Sequence, residues 1–292
     1  MRSVRWLAAA WLLAAPVFGQ YFKITKDQLI ELTKGNPYER FEDGRPKVPG
    51  ELLEKVRGLT VEEVWGVLPG EKYNNQYAGD WRILHPEKKL VGRAVTAMFM
   101  PGRPDLTSLV TGDLAGRGIK FSAHQWVIDQ LQPGDVMVVD LFGKGAGGTV
   151  VGDNLAMAIK SATVNGGLVV DGSIRDLEGI SAIDMGVYFR HAHPSAINDV
   201  VLMGYNTPVR VGSSTVLPGD VVFGDRTGIY FIPPASVQKI VDRAEETHIH
   251  DEWTKEKFST GRYKSSDLYP RPRDQKMRDE YEAYKKSRMP KK

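Results

Sequence analysis

Short apolar strands alternate with helix-like stretches between residues 90 and 245, and this alternation restricts the fold more than any other feature of the chain. The strands are rich in β-branched residues and bounded by Gly, Pro or Asp: KLVGRAVTAMFMPG, DVMVVDL, GLVVDG, VYFR, TPVRVG, DVVFGD and GIYFIP. Helical patterns occupy DNLAMAIKSATVNG and PPASVQKIVDRAEE, and the second begins with Pro233 and Pro234, where a helix start tolerates proline. This interleaving predicts an α/β fold in which helices cover a buried sheet.

The residues ahead of the alternating region predict two separate N-terminal parts. Residues 1–19 carry Arg2 and Arg5 before an apolar run of 13 residues, which is shorter than the roughly 18 that span a bilayer. A signal peptide for export is therefore expected, and an uncleaved membrane anchor is the alternative. Residues 20–48 predict an extension, formed by a short helix that ends at Gly35 and a loop, NPYERFEDGRPKVPG, that is too rich in Pro, Gly and charge to pack.

Charge and cysteine content exclude several classes of protein. The formal net charge is +3 over 292 residues and falls to +1 without Arg2 and Arg5. Because nucleic-acid binding usually needs a strongly basic surface, we do not expect the mature chain to bind nucleic acid. There is no cysteine, so packing or assembly rather than disulfides must stabilise an exported chain. Residues 246–292 predict a C-terminal helix and a basic tail, which we expect to be solvated; an arm lying on a neighbouring subunit or an anionic surface is the alternative.

Residues 49–245 predict one main domain. Within it, the segment TVEEVWGVL has Thr60 and Glu63 at the spacing of a capping box. The segments QPGDVMVVD and LPGDVVFGD both place Pro-Gly-Asp before an apolar strand. Shared turn chemistry explains this similarity more simply than internal duplication does.

The glycine-rich segment LFGKGAGGTVVGDNLA raises the question of phosphate binding. Gly143, Gly145 and Gly148 form a GxGxxG motif. Asp171 lies at the end of the next strand, where a dinucleotide-binding fold has the acidic residue that binds the ribose. In that fold the glycines open the helix directly, whereas here TVVG separates them from a helix that begins near Asp153. The spacing therefore disfavours a nucleotide or S-adenosylmethionine site.

A helix N-terminus can still bind a small anion without a dinucleotide fold. Gly152 precedes the first turn, and the amides of Asn154 and Leu155 are expected to hold a carboxylate, although Asp153 or Asn154 could equally be a plain N-cap. The next strand ends in GSIRD, at the sheet edge where ligand sites lie in such folds.

Arg175 and Asp176 are the charged residues of that GSIRD segment. Because adjacent side chains usually point apart, we expect Arg175 to bind an oxyanion and Asp176 a hard metal ion, rather than each other. Ordinary surface salt bridges are the alternative for both side chains.

The linked blocks GDNLA and DGxxRD resemble the RraA-like family. This family includes 4-hydroxy-4-methyl-2-oxoglutarate aldolase and regulators of ribonuclease activity. Some of its members are named as demethylmenaquinone methyltransferases. The resemblance extends more loosely over residues 60–245. It implies a swivelling β/β/α fold, assembly into homotrimers or homohexamers with sites between subunits, and a class II aldolase that uses Mg²⁺ or Mn²⁺. The implied reaction releases pyruvate from a small 2-keto acid such as 4-hydroxy-4-methyl-2-oxoglutarate, and decarboxylation of oxaloacetate is a further expectation.

The resemblance also implies roles for individual residues. Asp176 would hold the metal ion directly or through water, and Asp153 would lie near the water on that ion. Arg175 would bind the keto oxygen, while the amides around Gly152, Asn154 and Leu155 take the carboxylate. A catalytic glutamate from the C-terminal helix of a neighbouring subunit is also implied; Glu245, Glu246 and Glu252 compete for this role, and Glu252 is favoured.

Two other functions and a zinc site stay open, and only a serine hydrolase is excluded. The first is a non-catalytic oligomeric binding protein that keeps the fold and the anion pocket, and the second is a methyltransferase. A zinc site would need the HxH pairs His191/His193 or His248/His250, of which the second lies in a helical pattern that points the two side chains apart. A serine hydrolase is excluded because the chain has no GxSxG.

Overall fold

The computed structural model describes residues 23–120 and 122–289, so the predicted signal peptide over residues 1–19 lies outside the described residues. The strands are β1 (Tyr77–Ala78), β2 (Arg82–Leu84), β3 (Leu90–Pro101), β4 (Asp135–Asp140), β5 (Gly167–Ile174), β6 (Gly186–Ala192), β7 (Val200–Tyr205), β8 (Val209–Val211), β9 (Ser214–Val216), β10 (Val221–Gly224) and β11 (Ile229–Ile232). A mixed sheet runs through the centre of the structure in the order β1-β11-β10-β3-β4-β5-β6-β2, with β7 also paired to β3.

Helices precede, interrupt and follow these strands. They are α1 (Lys26–Leu32), α2 (Gly50–Arg57), α3 (Val61–Trp65), α4 (Pro104–Gly116), α5 (Ala123–Ile128), α6 (Asp153–Thr163), α7 (Leu177–Ser181), α8 (Pro234–Ser259), α9 (Ser265–Leu268) and α10 (Gln275–Arg288). The predicted capping box before α3 is present, because Thr60 and Glu63 each accept the other's backbone amide. None of the described helices is long and apolar enough to cross a membrane.

Apolar layers form on both faces of the sheet. Strands β3, β4, β5 and β6 run parallel to one another, and one face of them packs against α4 to α7 through side chains such as Val139, Val170 and Ile159. The β8–β9 hairpin covers the other face, where Val138 and Val211 are buried. The predicted α/β architecture, with sheet, hairpin and helix layers, is confirmed.

The loop of residues 36–49, predicted to be too polar to pack, is instead anchored in the core. Its Arg45 is 1% exposed and donates to both carboxylate oxygens of Asp135 on β4, at 2.7 and 2.9 Å. Phe41 stacks on the guanidinium at 4.4 Å, and Val48 is fully buried. The prediction is wrong because two opposite charges that bond in bidentate geometry can be buried together, and composition alone does not reveal that pairing.

The two Pro-Gly-Asp turns have the same local geometry. Gly134 and Gly219 have φ of +81° and +88°, and each following aspartate accepts a backbone amide three residues back: Asp135 from Gln132 at 3.0 Å and Asp220 from Leu217 at 2.8 Å. Their surroundings differ, because Arg45 neutralises Asp135 whereas Asp220 is 3% exposed and forms no ion pair in the described chain. Burial raises the pKa of Asp220 from 3.8 to about 7.

The C-terminal segment folds back instead of trailing into solvent. Helix α10 packs along α8, and its basic side chains meet acidic ones of that helix: Lys285 lies 3.4 Å from Glu246 and Arg288 lies 3.3 Å from Glu252. Trp253 of α8 is 1% exposed in this region. The tail is thus an ordered helical hairpin whose outer face is solvated.

Arg45→Met should destabilise the fold, because it leaves the Asp135 carboxylate buried without its counter-charge. The expected loss in the free energy of unfolding is about 3–5 kcal/mol, measured by urea denaturation. The double variant Arg45→Met/Asp135→Asn is the matched control: it removes the buried charge, keeps an oxygen for the Gln132 amide, and should recover most of the loss. Equal stability of the single and double variants would contradict the pairing.

Asp220→Asn should change how stability depends on pH. Between its ordinary pKa of 3.8 and its folded pKa of about 7, Asp220 keeps a proton in the folded state that the unfolded chain has released. This carboxyl group therefore lowers the free energy of unfolding as pH rises through that window, and the asparagine does not. Urea denaturation at about pH 5 and pH 8 should show that the free energy of unfolding of the variant, relative to that of the wild-type chain, is higher at the second pH than at the first. An equal difference at the two pH values would contradict the raised pKa of Asp220.

Candidate functional site

The candidate site lies where β5 ends at the carboxyl edge of the parallel strands. The loop before α6 runs beside the end of β5: Val150 donates to Ser173 O at 3.2 Å, and Arg175 donates to Val151 O at 3.1 Å. Thr149 and Ser173 form a parallel bridge in the same place. These backbone bonds bring the first turn of α6 against the residues that follow β5.

Gly152 makes the closest approach between the two segments. A Cβ at this position would lie 2.2 Å from Asp176 Oδ2 and 3.0 Å from Arg175 Nε. The first distance is shorter than real Cβ contacts and the second is tight, so a side chain at this position would displace the Asp176 carboxylate; the backbone angle of Gly152, φ −111°, does not itself call for glycine. The contact sets the start of α6 directly beside a guanidinium and a carboxylate.

Arg175 and Asp176 do pair with each other, contrary to the expectation for adjacent residues. Asp176 has φ of +56° and ψ of +46°, in the left-handed region, and its Oδ2 lies 3.3 Å from Arg175 Nε. The expectation assumed extended backbone, in which neighbours point apart, and the left-handed turn breaks that alternation. Such backbone strain in a residue other than glycine is concentrated at functional sites.

The carboxylate of Asp176 is available to a ligand. Asp176 occupies the N-cap position of α7, yet its side chain accepts no capping hydrogen bond. The side chains of Arg175 and Asp176 are 40% and 44% exposed, so their ion pair is weak and open to solvent.

Asp153 adds a second carboxylate on the first turn of α6. Its Oδ1 accepts the Asn154 amide at 2.8 Å, while Oδ2 accepts no hydrogen bond in the described chain. Gly179 of α7 fits against it, since a Cβ there would lie 2.7 Å from Asp153 Oδ2. Of the two amides that we predicted to bind an anion, Asn154 is thus already engaged, and Leu155 has no acceptor among the described residues.

The donor set fits a hard divalent cation. Mg²⁺ and Mn²⁺ prefer carboxylate oxygens and keep several water ligands, and the half-exposed Asp176 with the neighbouring Asp153 offers such oxygens. Within residues 23–120 and 122–289, no group of three His, Cys, Asp or Glu could hold a metal ion. A cation bound by Asp176 would therefore complete its shell with water, substrate or a residue of another subunit.

The three glutamates of α8 lie apart from this site in the single chain. No ion pair or hydrogen bond joins them to Arg175 or Asp176 in the described residues. Glu252 pairs with Arg288, and Glu246 pairs with Arg243 and Lys285. Glu245 is half-buried on the same helix. A role for any of them at Asp176 requires a second subunit and stays a prediction.

The glycine-rich loop does not form a dinucleotide site. Gly143 and Gly147 adopt positive φ, and α6 begins at Asp153, beyond the glycines, as predicted. Asp171, the candidate ribose ligand, is buried and holds Arg190 Nε at 2.7 Å and the Gly212 amide at 2.9 Å. That carboxylate is committed to the fold.

One histidine of each HxH pair has a partner of its own, outside the pair. His193 Nδ1 lies 2.9 Å from Ser195 Oγ, which also accepts the Gly147 amide at 2.7 Å. His248 Nε2 lies 2.6 Å from Glu63 Oε1. The bond from Ser195 to the glycine-rich loop escaped the sequence analysis, because HAHPS carries no spacing that distinguishes a loop contact from a surface turn.

Comparison with known proteins agrees with the observed fold. Residues 69–231, more than half of the chain, match the sequence model of the RraA-like family, described as Aldolase/RraA. A crystal structure of Streptomyces coelicolor RraAS2, titled an unusual member of the RNase ES inhibitor RraA protein family, superposes with a TM-score of 0.59 at 26% identity and covers 75% of this chain and 99% of that one.

Curated relatives are similar over shorter segments. A protein of Halalkalibacterium halodurans, provisionally named 4-hydroxy-4-methyl-2-oxoglutarate aldolase, is 27% identical over 42% of this chain and 58% of its own length. A protein of Ectopseudomonas mendocina with the same provisional name is 36% identical over 37% of this chain and 65% of its own length. The match thus spans less than two thirds of either relative. The family match and the shared fold together show that the chain belongs to the RraA-like family.

Proposed function

We propose that this protein is a divalent-metal-dependent lyase that cleaves a carbon–carbon bond of a small 2-keto acid and releases pyruvate. The observation that carries the proposal is the contact of Gly152 with Arg175 and Asp176, which brings a helix start, a guanidinium and a solvent-exposed carboxylate paired with it to one point. The aldolase names of the relatives support the same reaction class.

The chain's own groups divide the work on such a substrate. The N-terminus of α6, with the Leu155 amide and the positive end of the helix dipole, binds the substrate carboxylate. Arg175 places a fixed positive charge beside the keto oxygen, where negative charge develops as the bond breaks. Asp153 Oδ2 takes the proton of the substrate hydroxyl as the carbon–carbon bond breaks, and the same proton then passes to the enolate carbon to give pyruvate.

Mg²⁺ or Mn²⁺, held by Asp176 with Asp153 nearby, would supply the electrophile that stabilises the enolate left after cleavage. Gly152 acts as a positioning residue, because any side chain there would displace the Asp176 carboxylate.

We further propose that the active form is a homotrimer or homohexamer. The Arg175–Asp176 pair is open to solvent in one chain, and catalysis usually needs a site from which water is excluded. A neighbouring subunit would cover the pair and bring Glu252 to it. Residues 1–19 would direct export before assembly.

The first test measures pyruvate release from 4-hydroxy-4-methyl-2-oxoglutarate and from oxaloacetate by purified residues 20–292, with Mg²⁺ or Mn²⁺ and with chelator. We expect metal-dependent turnover, with kcat/KM reduced by about 10²–10³ in Asp176→Ala and in Arg175→Ala. Glu51→Gln, which changes an exposed carboxylate on α2, is the control and should be fully active.

Two outcomes would overturn the proposal. One is unchanged turnover in Asp176→Ala. The other is the absence of turnover on both substrates by a folded oligomer, which would favour a non-catalytic binding protein that keeps this fold.

The second test asks whether the site is shared between subunits. Asp176→Asn and Glu252→Gln should each be inactive alone, and mixed oligomers refolded from both should recover part of the activity, because some interfaces then pair two intact halves. Arg288→Gln is the matched control, since it breaks the same exposed ion pair as Glu252→Gln without touching the glutamate. Full activity of Glu252→Gln would exclude Glu252 as the catalytic glutamate. The same complementation experiment would then be made with Glu245→Gln and Glu246→Gln.

A further inference from the structure

A second cavity lies away from the Gly152 site, between the N-terminal extension and the core. It has a volume of about 290 Å³ and is bordered by the end of α1 and the following loop, the turn before β10, and the start of α8. Leu32 to Asn36 and Pro233 to Ala235 fall outside the segment that matches the RraA-like family. Parts of the chain beyond the family match therefore build its walls.

The Asp220 carboxylate, one of the groups that line this cavity, has no counter-charge. It is 3% exposed, and its hydrogen bond comes from the Leu217 amide at 2.8 Å. The equivalent aspartate of the other Pro-Gly-Asp turn, Asp135, is neutralised by Arg45. An ionised carboxylate is costly to bury without a cation or several hydrogen-bond donors.

Two basic side chains near the cavity have other partners. Arg40 donates to Thr33 Oγ1, Thr33 O and Gly44 O at 2.7 to 2.8 Å. Lys239, one turn into α8, lies 2.7 Å from Glu71. Because neither forms an ion pair with Asp220, its carboxylate, once ionised, has no countercharge from them.

Gln76 contributes a second acceptor. Its Nε2 donates to Phe231 O at 2.8 Å and to Thr215 O at 3.2 Å, and two carbonyl partners require the nitrogen to face them. Its Oε1 accepts no hydrogen bond from the described residues. The cavity lining therefore includes two side chains with unused acceptor capacity: the Asp220 carboxylate, which accepts the Leu217 amide, and Gln76 Oε1.

The rim of the cavity is apolar and accessible. Leu32 and Tyr73 border it and are 45% and 40% exposed, so a ligand can reach both side chains from solvent. A volume of this size matches the lower end of small-molecule sites. An aromatic ring beside a carboxylate is also a favourable environment for an organic cation.

We propose that this cavity binds a small organic ammonium ion. Its N–H groups donate to the Asp220 carboxylate and Gln76 Oε1, and its alkyl part packs against Leu32 and Tyr73. The site is independent of the proposed lyase activity, since it shares no residue with the Arg175–Asp176 constellation.

The test uses n-butylammonium as the probe and n-butanol as its uncharged counterpart, at about pH 8, where Asp220 is ionised. Isothermal titration and thermal denaturation should show saturable binding and stabilisation by n-butylammonium and not by n-butanol. Asp220→Asn keeps an acceptor for the Leu217 amide and should weaken binding about tenfold or more. Binding by n-butanol with equal strength, or unchanged binding in the variant, would overturn the proposal.

A second variant covers the case in which Asp220→Asn does not fold. Gly35→Leu adds a side chain at the cavity wall, where a Cβ has ordinary contact distance, 4.0 Å, to Ala235. It should block the probe without altering charge, and full binding in this variant would contradict the location. Asp176→Asn is the matched control for the lyase site and should bind n-butylammonium like the wild-type chain.

Discussion

The pairing of β3 with three other strands is the interaction on which the rest of the structure depends. Residues 90–93 of this strand bond to β10, residues 93–98 to β4 and residues 97–101 to β7, with an irregularity between Met98 and Phe99. A strand buried along nearly its whole length can hold partners on both edges and layers on both faces. Because β4, β5 and β6 follow it in parallel, their carboxyl ends meet on one edge, and the candidate site forms there.

The site itself depends on close backbone approach. Gly152 touches Asp176, and Gly179 touches Asp153, so each carboxylate is placed by a glycine of the opposing segment. The left-handed backbone at Asp176 frees its side chain from helix capping and turns it toward Arg175. Asp176 thus combines a strained backbone with an exposed carboxylate, and Asp153 beside it has an unused acceptor oxygen. This combination is typical of ligand-binding sites.

The two Pro-Gly-Asp turns show how a repeated local motif acquires different properties. Both place an aspartate at the same point of the same turn, and both aspartates are buried. Arg45 reaches Asp135 from 90 positions away in the chain, whereas no basic residue reaches Asp220 in the described part of the molecule. Asp135 consequently belongs to a structural ion pair, whereas Asp220 has a raised pKa and lines a cavity.

The amino-acid sequence by itself predicted the local elements and the residues that we propose for the site. Runs such as DVMVVD and GLVVD predict strands because branched side chains favour extended backbone, and GDNLA predicts the start of α6 because Gly152 and Asp153 suit a helix N-terminus. The two segments GDNLA and GSIRD together identified Gly152, Arg175 and Asp176 as candidate site residues.

The tertiary structure alone decided the contacts between distant segments. The pairing of Arg45 with Asp135, the commitment of Asp171 to Arg190, the bond of Ser195 to the glycine-rich loop and the isolation of Asp220 each join residues far apart in the chain. Even Arg175 and Asp176, adjacent in sequence, pair only because the backbone turns left-handed between β5 and α7. Local pattern reflects the preferences of neighbouring residues, whereas burial and charge compensation depend on which segments the fold brings together.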